Sequence, residues 1–388
     1  MPTFQFTTPG VYREDIFPTP RSIFPTGVPV FLGWVASEMT NKPQRLTLWT
    51  QFGQQFGQHS AGYLSSAVHG FFSNGGQICY VVGLSGSLPM TNPDEVATAK
   101  ALAVALESIA SLGDVDLVVF PDLLASPWST DQVQRFQIAL LEHCDQMGDC
   151  FALLDAPRSF MVSALLDHGQ KLTQINGGTH GALYAPWVLT ERGDWVPPCG
   201  HVAGLYARSD RTVGVHQAPA NLILEDVLNV STLFSVDDQS QLSTPGDRLA
   251  SVNYCRVLPG RGIRVWGART LSPDSIWCYV NVRRLFITVG RWIAQNLSDV
   301  AFEPNDFRLW VRIERDLTAY LETLARQGAL QGSTFQEAFY VKCDATTNPP
   351  ELRDSGQIVT EIGLAPTLPN EFIVVRLIHG DSGVTLSR

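Results

Sequence analysis

No stretch of this 388-residue chain reaches the run of about 18 apolar residues that a bilayer-spanning helix needs, so a membrane span is not expected. The N-terminus, Met1-Pro2-Thr3-Phe4, lacks a basic region followed by an apolar run, so no export signal is expected either. No Cys-x-x-Cys occurs among Cys79, Cys144, Cys150, Cys199, Cys255, Cys278 and Cys343. Seven widely spaced cysteines argue against a disulfide framework or a zinc site, and for reduced thiols in a cytoplasm. Charge is scarce: 16% of residues are charged and 45% apolar, which fits a surface partly covered by neighbours. Positive excess is also missing. A net charge of −10 disfavours bulk binding to nucleic acid or an anionic membrane. No internal repeat is visible.

The charge is unevenly placed. Residues 253–388 hold 15 Lys/Arg and 14 Asp/Glu, and residues 1–23 hold two of each. The middle, 24–252, therefore carries −11. Such asymmetry predicts that the parts face different surroundings.

Residues 1–27 contain Pro2, Pro9, Pro18, Pro20 and Pro25, which excludes a helix and predicts an extended arm, with one strand at Val11–Ile16. From Val28 to about 156 the chain alternates. Strands are predicted at Val28–Leu32, Ile78–Val82, Val115–Phe120 and Phe151–Leu154. One helix starts near Asn92, read as its cap, with Val96, Ala99, Leu102, Leu106 and Ile109 inward. Another spans about 130–147, with Val133, Phe136, Leu140, Cys144 and Met147 inward. This is the pattern of a parallel α/β sheet. A helix is predicted near His201–Ser209, a loop over 235–250 and a domain boundary near 252. The rest reads as α+β. Helices are predicted at about 279–296 and 306–327, the second capped by Asn305 and stopped by Gly328. Strands follow at Ala338–Cys343, Gln357–Ala365 and Glu371–Ile378, and the last ten residues read as loose.

Several peptides resemble catalytic motifs without their partners. Gly380-Asp381-Ser382-Gly383 looks like a serine-protease nucleophile segment, but it lies near the chain end with no matching histidine segment. Gly178-Thr179-His180-Gly181 and Gly200-His201-Val202-Ala203-Gly204 are similar to the histidine segment of subtilisin-like proteases, whose serine segment is absent. Asp122 and Asp155 follow parallel strands, where α/β enzymes build sites, yet no histidine or cysteine joins them at ligand spacing. Asn74-Gly75-Gly76 precedes a strand and so is a turn, not a phosphate cradle. No catalytic, cofactor-binding or metal-ligating residue is assigned, and the chain is expected not to be an enzyme.

The sequence resembles the contractile tail sheath family, found in contractile phages, R-type pyocins and extracellular contractile injection systems. The likeness rests on ordered blocks: Thr8-Pro9-Gly10-Val11-Tyr12, Val28-Pro29-Val30-Phe31-Leu32-Gly33, Phe71 to Val82, Pro197 to Gly204, and Gly214 to Asn221. It continues through Pro259-Gly260-Arg261-Gly262-Ile263, Val265 to Leu271, Tyr279 to Phe286, Phe302-Glu303-Pro304-Asn305-Asp306 and Glu337 to Asp344. Where the family arm often has paired acidic residues after its tyrosine, this chain has Arg13-Glu14-Asp15. Its single-chain length disfavours the two-protein sheath of type VI secretion.

The resemblance implies a linking arm (1–27), an outer α/β domain (28–252) with subtilisin-like layers and no triad, and an inner α+β domain (253–388) ending in a strand. It implies hexameric rings stacked around an inner tube, which contract to drive the tube into a target. The implied partners are further copies of the chain, the inner tube protein, baseplate and terminal cap proteins, and paralogous sheath subunits. No cofactor, nucleic acid or membrane insertion is implied. Assembly would take place in the bacterial cytoplasm, after which the chain would be part of a phage-tail-like particle, released or anchored. Val11, Tyr12, Arg13, Ile16, Phe372, Val374 and Arg376 are the candidate subunit-linking residues. Arg284 and Arg291 on one helix, and Arg308, Arg312 and Arg315 on the next, are the candidate tube-facing residues.

Overall fold

A computed structural model of the chain describes residues 24–35, 41–57, 62–84, 94–159, 161–173, 176–243, 251–369, 376–380 and 383–387. The chain runs through β1 (Pro29–Trp34), β2 (Gln44–Leu46), α1 (Trp49–Phe56), α2 (Leu64–Ser73) and β3 (Cys79–Leu84). Next come α3 (Glu95–Ile109), β4 (Leu117–Val119), α4 (Thr130–Met147), β5 (Phe151–Asp155) and α5 (Val162–Leu172). Then follow β6 (Gly181–Ala185), β7 (Val188–Thr190), β8 (Trp195–Val196), α6 (Cys199–Thr212), β9 (Val227–Val230) and α7 (Val236–Ser243). The remainder holds β10 (Asn253–Leu258), β11 (Gly262–Trp266), α8 (Val280–Asn296), α9 (Phe307–Arg326), β12 (Phe339–Lys342) and β13 (Glu361–Leu364). A hairpin of β14 (Arg376–Gly380) and β15 (Gly383–Ser387) closes it.

Eight strands form one sheet in the order β11-β10-β6-β5-β4-β1-β3-β2. The six from β10 to β3 are parallel, and β2 and β11 are antiparallel edges. A sheet covered on both faces needs apolar residues at every position. The fully buried strands β1, β3 and β5 meet that need. Strand alternation splits them between two cores. Val30, Leu32 and Trp34 join Leu102, Phe136 and Leu165 under α3, α4 and α5. Phe31, Val81 and Phe151 join Phe52, Phe71 and Tyr206 under α1, α2 and α6. Beyond the sheet, α8 and α9 pack on each other, with the Trp292 and Tyr320 rings stacked at 4.0 Å, and β12 pairs with β13 beside them.

The structure departs from the sequence expectations at several points. Asp94, not Asn92, caps α3 by accepting the Val96 and Ala97 N–H groups, and Val96 faces solvent. Asp306, not Asn305, caps α9, while the Asn305 side chain accepts the Trp310 indole N–H at 2.8 Å. The loop expected over 235–250 contains α7. Ser235 and Asp238 cap each other's backbone N–H, and Leu242 reaches the core, so one buried residue in a polar run suffices. The sheet runs past the expected boundary near 252, because β10 pairs with β6 and β11 with β10. The final residues expected to be loose form the β14–β15 hairpin, so the strand expected to end the chain at Ile378 is paired within it.

Candidate functional site

Asp122 follows β4 and is fully buried. It accepts the N–H groups of Trp34 at 2.9 Å, Tyr63 at 2.6 Å and Leu64 at 2.7 Å, tying the end of β1 to the start of α2. Burial raises its pKa to about 6 against the pull of those three donors. Asp155 ends β5 and accepts the Cys199 N–H at 2.9 Å, the first residue of α6. Burial raises it to about 7. Each carboxylate is thus spent on a helix N-terminus, where orphan N–H groups favour a negative partner. Among the described residues no group of three or more His, Cys, Asp or Glu could hold a metal ion.

The two histidine peptides are likewise built in. His180, almost fully buried, lies 3.1 Å from Asp145 on α4 and against the Arg283 guanidinium on α8. Burial and Arg283 lower its pKa to about 4. His201 is fully buried on α6, pressed so close to Gly70 that an added Cβ there would sit 2.6 Å from the ring. Its Nε2 stands 3.7 Å from Asp226, which also takes His69 at 2.9 Å. Asp226 itself is in the left-handed region, with φ 61°, an uncommon conformation for a non-glycine residue.

The main charged centre lies where residues 24–28, the sheet and α8 meet. Arg284 on α8 is 2% exposed and reaches Asp116 at 2.9 Å and Asp210 at 2.6 Å, with the Tyr206 ring beneath it. Burial opposes its charge, but Asp210 and Asp116 outweigh that and raise its pKa. Asp116 also accepts the N–H groups of Gly27 at 3.0 Å and Val28 at 2.7 Å. One turn pair further along α8, Arg291 donates to the carbonyls of Pro25 and Gly113 and stacks on Phe24. Residues 24–28 are therefore held by Arg291 directly and by Arg284 through Asp116.

Arg284 and Arg291 accordingly do not face a tube. Their seven-residue spacing does place them on one face of α8, but that face packs inward, and the buried carboxylate Asp116 draws both. The α9 arginines differ. Arg308 and Arg315 are exposed, Arg315 beside Asp316 at 3.0 Å. Arg312 is drawn among Asp299, Glu303 and Asp316. Beside them stand Phe302, fully exposed with φ 70°, and exposed Phe307 and Val311. Sequence reading missed this apolar companion; its signal was the i, i+4 pair Phe307/Val311 on the polar side of α9.

Of the candidate linking residues, Val11, Tyr12, Arg13, Ile16, Phe372 and Val374 lie outside the described residues, and Arg376 opens β14. Among the described residues, β12 and β13 form a sheet of two strands.

Two family models match the chain: the phage tail sheath protein central domain over residues 95–271, and the phage tail sheath C-terminal domain over 272–378. The chain belongs to the contractile tail sheath family. It is 26% identical over 189 residues to the tail sheath protein of Vibrio phage KVP40, covering 48% of this chain and 27% of that protein. The chain spans roughly a quarter to a half of the curated phage sheath proteins that match it first. Among solved structures it is similar to a chain of the anti-feeding prophage baseplate, at 28% identity and a TM-score of 0.77, covering 97% of this chain and 99% of that one. It is also similar to the sheath complex of PVC, an extracellular contractile injection system, in its contracted state, at 26% identity and a TM-score of 0.74, covering 98% and 99%. Among the described residues no helix is long and apolar enough to cross a membrane.

Proposed function

We propose that this chain is the structural sheath subunit of a contractile, phage-tail-like injection machine. In this reading it stacks as hexameric rings around an inner tube, meets the baseplate at one end, and contracts to drive the tube into a target. The observation that carries the reading is the end-to-end match with the sheath of a contractile injection system in its contracted state. The two-stranded β12–β13 sheet supports it, because a sheet that small is marginal alone and gains by adding strands from neighbouring arms. A non-closing, heterologous contact of that kind builds a long assembly. The parallel sheet between helical layers is consistent with the subtilisin-like description of the outer domain, without its chemistry.

On this reading the sheath is not an enzyme, and the work of contraction is stored in the extended arrangement and released on re-packing. The test is electron microscopy of the chain co-expressed with its tube and baseplate partners. Extended particles that convert to shorter, wider sheaths are expected. A chain that stays monomeric with its partners present would overturn the reading.

A further inference from the structure

The β10–β11 hairpin is strongly basic in an acidic protein. Residues 253–273 contain Arg256, Arg261, Arg264 and Arg269 and no Asp or Glu. Among the described residues, Arg256, Arg261 and Arg264 make no ion pair. Arg256 lies over the Trp266 ring and Arg264 donates to the Asn221 carbonyl, while Arg261 stands exposed at the turn. Gly260, at φ 71°, lets that turn close tightly, and Val257 beside it is exposed.

The opposite character is found between α3 and α4. Residues 94–157 carry eleven Asp/Glu against two Lys/Arg. Three of those carboxylates, Asp116, Asp122 and Asp155, are buried, so the rest lie toward the helical surface. Here a groove of about 550 Å³ has a floor of Ala99, Leu102, Ala103 and Phe136, with Glu107 and Glu142 on its rim. Neither rim glutamate has an ion-pair partner among the described residues. Ala99 and Ala103 leave room for an apolar tip. Since Arg135 on the same groove is paired with Glu95, the remaining rim charge is negative and suits a basic one.

The hairpin cannot reach its own groove. It sits at the β11 edge, whereas α3 packs on β3 at the far side of the sheet. From β11 to β3 the sheet order crosses β10, β6, β5, β4 and β1, and strands lie about 4.8 Å apart. We infer that the β10–β11 hairpin of one subunit docks into the α3–α4 groove of a second copy, with Val257 on the apolar floor and Arg261 between Glu107 and Glu142. The inference rests on the self-assembling sheath reading and names a contact for it apart from the arms. Two different patches meet, so the contact is heterologous and propagates. Its charges favour one register and speed encounter.

The test mixes two full-length variants, Ala103→Cys and Val257→Cys, both in a Cys278→Ser background, with a short bis-maleimide. A heterodimeric product is expected, and it weakens as salt rises from 0.05 to about 0.5 M. Arg261→Glu on the hairpin partner lowers the yield about tenfold or more, since attraction becomes like-charge repulsion. Glu107→Arg with Glu142→Arg on the groove partner restores it. No product with native charges, no effect of Arg261→Glu, or no restoration overturns the inference. So does tight capture of duplex DNA that Arg261→Glu abolishes, since the basic tip would then serve another partner. Electron microscopy of the same samples separates the two readings. Tubes that form regardless of the charge swaps leave the sheath and remove this contact. A charge-dependent product without tubes from the full set of partners leaves the contact and removes the sheath.

Discussion

Arg284 shows how a single residue can be misplaced from sequence and still prove central. Helical spacing correctly put Arg284 and Arg291 on one face of α8, but spacing does not say which face is covered. The deciding facts are Asp116 and Asp210, which lie 168 and 74 residues earlier and are invisible as partners in the sequence. Removing one member of a buried charge group strands the others without solvent. Arg284→Ala is therefore expected to cost about 3–5 kcal/mol, read by urea unfolding of the isolated subunit. A loss below about 1 kcal/mol would mean that the cluster is solvated. The histidines give a second test. His168 and His180 are lowered to about 4, by burial first and then by Lys171 and Arg283 respectively. In the unfolded chain they take up protons near pH 6.5, so the stability they contribute is lost as pH falls from about 7 toward 4. Asp122 and Asp155, raised to about 6 and about 7, act oppositely and lose their contribution as pH rises through that range. His180→Asn should thus be less stable than wild type at pH 7, and the gap should close toward pH 4. A gap constant with pH in parallel urea titrations would refute the assignment.

Among the elements, the parallel strands and long helices were legible because buried strands read as continuous apolar runs and α4, α8 and α9 carry a clear helical stripe. Three things were not. Asp94 and Asp306 displaced Asn92 and Asn305 as caps, since adjacent Asx residues all qualify and only the backbone chooses. Helix α7 has one buried residue, too few for a periodic signal. The carboxylates Asp122 and Asp155 were visible at the strand ends, but their hydrogen-bond partners come from helix starts 58 and 44 residues away in sequence. The expected linking arm, residues 1–27, carries a prediction at this scale. Deleting residues 1–20 leaves the grip of Asp116 and Arg291 on residues 24–28 intact. A folded, soluble subunit with native-like circular dichroism that forms no connected sheath is expected. Normal contractile tubes would show the arm to be dispensable, and a collapsed spectrum would place it in the core.

For the whole molecule, the exposed side of α9 is the remaining candidate for gripping the tube. Arg308 and Arg315 stay outward beside Phe302, Phe307 and Val311, a mixed apolar and cationic patch. Arg308→Glu with Arg315→Glu should leave the subunit folded, because exposed charges contribute only about 0–1 kcal/mol each. Summed over many subunits the change should give sheaths that assemble contracted and empty. Extended, tube-filled particles in electron micrographs would rule this surface out.

The clamp on residues 24–28 also orders events during synthesis. Arg284 is made some 256 residues after Val28, roughly 13–50 s later at about 5–20 residues per second. Strands β12 and β13 come later still. Until Arg284 and Arg291 are made, residues 24–28 have Asp116 but neither arginine to hold them, and the two-stranded sheet is incomplete. In the proposed sheath, growing polypeptides on one messenger would thereby be kept from linking through that sheet, leaving assembly to finished subunits.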